Sequence, residues 1–252
     1  MFLKIFPKLE KVNYLIIFFS FVGAIYSLQK EHYDKSLSQI KVKNYSEQIE
    51  SAQVSLATQK LIPTFGFNNL RADVTYLQFV QYFGDKQARK QTGYNLVPSY
   101  FENVVNYDPN FTQANLSLSV ANSMYAGQAE KTVTLMEKIL ESSSPNLDDA
   151  YLIWFAKGLD EFLFLGDNQA ALNSHQNSAK LAINQNNNDL NKITTVNQRK
   201  IQYLATNPDT TEAQIIAWKT VLPYVVDPNN RQRISDRIAG LEQNLNHQAN
   251  SQ

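Results

Sequence analysis

The groups in this chain able to do chemistry are three histidines, two pairs of acids and a large set of aromatic rings. His32, His175 and His247 are far apart in sequence, and the reading along the chain puts them in a stalk, a surface-facing helix and a tail. Asp148-Asp149 and Asp160-Glu161 are adjacent acids. The first pair opens a helical run, where carboxylates favour the positive end of the helix dipole. H-E-x-x-H, G-x-S-x-G and glycine-rich phosphate loops are all absent from the sequence. Cysteine is absent too, which removes thiolate metal ligands, thiol nucleophiles and disulfides together. The expectation is a protein with no catalytic residue, no cofactor and no metal. Aromatics are the richer signal: 13 Tyr, 14 Phe and 2 Trp exceed what a small core consumes. Rings spaced along helices are core by default, but tyrosine also suits a binding face.

Those rings sit in a recurring frame. An aromatic-rich helical run ends at glycine three times, as Tyr82-Phe83-Gly84, Tyr125-Ala126-Gly127 and Phe164-Leu165-Gly166, and an amphipathic run follows each. The glycines are 43 and 39 residues apart. Few glycines and much Leu, Ala, Gln, Glu and Lys make the chain all-α. The periodicity predicts helices at about 70–83 and 94–106, 112–126 and 129–142, 147–165 and 168–184, and 189–206 and 211–226. A last helix at 231–244 has one apolar face and one charged face, as a terminal cap should. Helix 70–83 is apolar around most of its circumference, through Leu70, Val74, Tyr76, Leu77, Phe79, Val80, Tyr82 and Phe83, so it must be covered on several sides. Asn68 or Asn69 is placed to cap it, and Asp167 and Asn168 to cap the helix after Gly166. The domain plan reads 1–28 anchor, 29–62 helical stalk, 63–228 repeats, 229–246 capping helix and 247–252 disordered tail.

In the third hairpin, Trp154, Gly158 and Ala170 match positions of the tetratricopeptide-repeat pattern, although Lys157, Glu161 and Ser174 stand where it has leucine, tyrosine and phenylalanine. Phe101 and Pro109 reproduce its end-of-repeat spacing, with Val97 and Val104 in place of alanines. The region from Asn68 to Val226 thus resembles that family, with longer repeats. The resemblance implies a right-handed superhelical solenoid of helical hairpins, which holds protein or peptide on the face built from first helices. On that face the expected partner-binding residues are Tyr76, Gln78, Asn115, Asn122, Tyr151 and Lys157. Rings there cover apolar surface while amides pair with peptide backbone. Tyr125 and Phe155 are expected between helices.

The N-terminal segment bears on location. Val12 to Leu28 is a run of 17 uncharged residues preceded by Lys4, Lys8 and Lys11. As an uncleaved transmembrane anchor it meets the lower length limit and carries tyrosines near both ends. As a signal peptide it offers cleavage after Ala24, which would make the protein a secreted binding protein. The lysines before it favour a folded part outside the cytoplasm or in a lumen, and Lys30, Lys35, Lys41 and Lys43 oppose that bias. The formal net charge is zero, and with no basic run nucleic acid is not an expected partner. Two functions follow as expectations. One is a membrane-tethered adaptor that binds a subunit of a membrane complex and assists its assembly or stability. The other is a permanent structural subunit of an envelope or secretion machine.

Overall fold

The computed structural model describes residues 18–27, 29–30, 44–142, 149–183 and 190–250. The chain divides into two compact units, residues 1–44 and 45–252. In the first unit, residues 18–27 are helical, with Phe18, Phe19, Phe21, Val22, Ile25 and Tyr26 exposed. Residues 12–17 and 28 of the predicted span, residues 31–43 of the stalk, and the Asp148, His32 and Asn184 positions lie outside the described residues. Among the described residues no helix is long and apolar enough to cross a membrane.

The second unit is all-α. Its helices are α1 (Tyr45–Gln59), α2 (Asn68–Gly84), α3 (Lys86–Thr92), α4 (Val97–Tyr107), α5 (Thr112–Leu118), α6 (Ala129–Ser142), α7 (Ala150–Asp160), α8 (Asn168–Ile183), α9 (Leu190–Leu204), α10 (Thr211–Val221) and α11 (Pro228–Ala249). α5 and α7 each run on into a π-helical segment, Ser119–Tyr125 and Glu161–Leu165. The α1 part of the predicted stalk belongs to the folded body: Leu56 is buried, and Gln59 is held by Thr75, Gln78, Arg71 and Tyr107.

Three expectations about element ends change. Neither Asn68 nor Asn69 caps α2: the N-cap is Phe67, whose carbonyl accepts from Arg71 N–H at 3.1 Å without any side-chain cap. Gly84 lacks the left-handed conformation that its two counterparts adopt, with φ of 65° at Gly127 and 69° at Gly166. The chain turns instead through the short α3, which sequence periodicity misses, capped by Asp85 at its start and by Gly93 at φ 65° at its end. At the other end of the body, α11 continues through His247 to Ala249, residues assigned from sequence to a disordered tail.

Packing follows the predicted hairpins as far as α8. α2 pairs with α4, α5 and its π segment with α6, and α7 with α8. The fourth predicted pair separates. α9 lies along α8, while α10 pairs with α11, and this C-terminal pair crosses back over the hairpin ends. The Asn230 amide donates to Ala126 O at 2.8 Å, Arg233 reaches Gly127 O, and Arg237 and Trp218 reach Phe164 O at 3.1 and 3.2 Å. These are carbonyls left over at helix C-termini, where cationic side chains are favoured. A strict solenoid contacts only neighbours in sequence order; here α11 touches the ends of the second and third hairpins together.

Candidate functional site

Two features of the body invite a functional reading: a seam of polar groups sealed inside, and a band of apolar side chains left outside. Both arise from helices that the sequence assigns to the opposite role.

The seam runs through α5–α9. Asp160, 2% exposed, accepts from the hydroxyls of Ser119 and Ser123 at 2.9 and 2.7 Å. Ser123 Oγ also lies 2.8 Å from Thr132 Oγ1, and Asn122 donates to the same threonine at 3.0 Å. One turn before Glu161, Lys157 forms a buried ion pair with it; Ser174 donates to the other oxygen of that carboxylate at 2.6 Å, and Glu137 approaches the ammonium from the rim at 3.3 Å. His175 is fully buried, correcting its surface assignment. Its Nδ1 bonds Asn197 Oδ1 at 2.9 Å, and its ring packs on Gly158 and on Phe155. Asn197 and Ser178 continue the chain of bonds to Tyr151 O. Gly158 is small for this reason: an added Cβ would lie 3.0–3.2 Å from the imidazole. Burial pushes the Asp160 carboxyl up to about 6, against the lowering effect of the two serines, and pushes the His175 pKa down. Among the described residues no group of acids and histidines could hold a metal ion.

Four of the six expected partner-binding residues work inside this interior. Asn115 donates to Pro109 O at 2.8 Å and pins the loop between hairpins. Asn122 ties its π segment to α6, Tyr151 is buried between α7 and its neighbours, and Lys157 is consumed by Glu161. All four are buried, the two asparagines spend their Nδ2 groups within the fold, and Lys157 spends its ammonium there. Tyr76 and Gln78 are half-buried. Tyr76 bridges the first two hairpins, with its hydroxyl 3.1 Å from Ser117 Oγ and its ring against Phe111 and Phe79. Gln78 accepts from Gln59 at 3.0 Å. The six do not form one open face.

The open face lies beside them. On α2, Val74, Leu77 and Val80 are exposed, and on α5 and its π segment so are Leu116, Val120 and Met124. Tyr76 against Ser117 and Phe83 against Tyr125 join the two elements that carry them. Asp73 is the one charged residue of α2 exposed in this band, and α5 has none. Large contiguous apolar patches on soluble surfaces mark sites of interaction. The signal was present in sequence: α2 has apolar residues around more of its circumference than its core contacts use, and the excess is what remains exposed.

No family model matches this chain, and no curated protein and no solved structure matches it.

Proposed function

We propose that this protein is a membrane-tethered helical scaffold that binds a protein partner and assists the assembly or stability of a membrane complex. In this reading residues 12–28 span the bilayer, and the tetratricopeptide-like hairpins follow one another in a right-handed superhelix that the α10–α11 pair closes. No step requires catalysis, cofactor or metal. The observation that carries the reading is the apolar band of Val74, Leu77, Val80, Leu116, Val120 and Met124, with Asp73 at its edge. A helix offering apolar side chains at three- and four-residue spacing fits between α2 and α5, and tethering raises its effective concentration.

The test uses the absence of cysteine. Single cysteines replacing Leu77 or Val120 carry a photo-crosslinker into native membranes, with Gln232→Cys as the exposed polar control. The reading requires a discrete cross-linked protein at both band positions and none at the control; equal or absent cross-linking at all three ends it. Leu77→Lys with Val120→Lys should abolish the cross-linkable complex while leaving the circular dichroism of the chain unchanged. A permanent structural subunit of an envelope or secretion machine would cross-link in nearly every copy, whereas an assembly adaptor does so in a fraction that rises during complex formation.

A further inference from the structure

We propose that the loop joining α1 to α2, residues 60–67, is a finger that enters the headgroup–acyl boundary of a lipid bilayer, so that the folded body touches the membrane independently of the N-terminal run. Leu61, Ile62, Phe65 and Phe67 all project from this short loop, and Leu61 and Phe65 are each 83% exposed. From Leu61 to Leu70 the chain carries no charge. Phenylalanine and leucine without charge are the residues that partition into a bilayer interface.

The presentation is built. Phe67 N–H donates to Thr64 O at 2.9 Å across a turn in which both central residues are left-handed, Phe65 at φ 50° and Gly66 at φ 88°. Glycine tolerates that conformation, while a bulky aromatic in it is strained and persists only where its surroundings fix it. The base beneath the turn is rigid. Arg71 and Tyr107 both donate to Gln59 O, Leu61 N–H donates to Thr58 O, and Lys60 pairs with Glu102 at 2.8 Å.

The shape selects the occupant. A convex tip suits a fluid partner that closes around it, in contrast to the side-by-side helices of the band. A second copy of the chain would have to offer an apolar socket, and two of its cavities carry charged groups instead. The cavity between α4 and α6 sets Glu102, Glu130 and Lys131 beside Pro98 and Leu135, and that between α6 and α11 sets Glu130, Arg233 and Arg237 beside Leu241, so an uncharged tip seated in either would bury charges without pairing them. A protein partner with such a socket is the competing outcome.

Full-length chain with a single Phe65→Cys or Phe67→Cys, labelled with an environment-sensitive fluorophore, is reconstituted with phosphatidylcholine vesicles containing shallow spin-labelled lipid. Labels at both positions should lose about half of their emission and shift to the blue, as expected for insertion at the acyl boundary, while one at Gln232→Cys changes little. Quenching at 65 and 67 no greater than at 232 overturns the proposal, as does shielding that appears only when membrane proteins are added. Vesicle flotation separates this from the anchor. If Phe65→Ser/Phe67→Ser abolishes flotation, the finger holds the chain on the membrane and the anchor reading fails; if flotation persists, the anchor stands and the labels alone decide the finger.

Discussion

The first and third hairpins solve the packing of two helices in opposite ways. In the first, Phe79, Tyr82, Tyr100 and Phe101 stack at ring separations of 4.7–6.2 Å, and the body's main apolar cluster grows from them through Leu118 and Met136 to Ile139. Its outer surface is nevertheless apolar. In the third, Lys157, Glu161, Ser174, His175 and Ser178 occupy the space between α7 and α8, and every one of them is buried. Where rings fill the interface, fit is tolerant and apolar side chains are left over for the surface. Where ions and amides fill it, each group must find its partner, and the geometry of the pair becomes unique.

Removing one filler from each hairpin sharpens this contrast. Phe101→Ala empties a fully buried ring site and should cost about 4 kcal/mol, read as a lowered urea midpoint followed by circular dichroism. Glu161→Ala strands the Lys157 ammonium and should cost about 3 kcal/mol by the same measurement. Replacing both partners, Lys157→Met with Glu161→Leu, should recover most of that loss. If the double variant is as unstable as the single one, the seam stabilises through more than satisfied charge.

A pH titration probes the seam more gently. Asp160 keeps its proton to about 6 when folded, whereas an unfolded aspartate releases it near about 4. The folded state therefore holds the extra proton between those values, and Asp160 lowers stability as pH rises through that interval, by about 2–3 kcal/mol in all. Asp160→Asn should remove this slope and stabilise the protein at neutral pH by about 2 kcal/mol, since an amide can accept from one serine and donate to the other. His175 has the opposite sign: its folded pKa is lowered, so its stabilising contribution is present above about 6.5 and lost as pH falls. In Asp160→Asn that second slope should stand alone, with stability rising from pH 5 to pH 7 in urea melts.

The smallest effects separate the glycines that look alike in sequence. Gly127→Ala forces a left-handed residue to carry a Cβ 2.7 Å from Ile234 Cδ1, and should cost about 1–2 kcal/mol. Gly84→Ala meets nothing within 4 Å and has no positive φ, so it should gain up to about 1 kcal/mol of helix stability. Equal effects at the two positions would contradict the conformations described.

What the sequence reveals follows from what local pattern encodes. The positions of α2 and of α4 through α8, the Asp167 cap and the apolar face of the last helix are all readable from periodicity and capping chemistry. The buried seam is not. Lys157 and Glu161 at i, i+4 look like a solvated ion pair, and the serines, asparagines and histidine of α8 look like an outer face, until α9 supplies Asn197. The π segments are equally hidden, because one added residue per turn leaves no mark in composition. The docking of α10 on the third hairpin depends on Trp218 and Phe164, which are 54 residues apart. The burial of Asn115, Asn122, Tyr151 and Lys157 is hidden for a related reason: polar residues on first helices look outward-facing in sequence, whereas the helix with surplus apolar surface is the one left open.

The closure by α11 has a consequence for how this molecule is made. Asn230 and its acceptor Ala126 are separated by 104 positions, and Arg233 and Gly127 by 106. On the ribosome the second and third hairpins emerge long before the residues that satisfy their exposed carbonyls. Maturation thus waits for α11 to emerge, and a chain cut short before Pro228 is left as an unlatched stack whose helix ends stay wet.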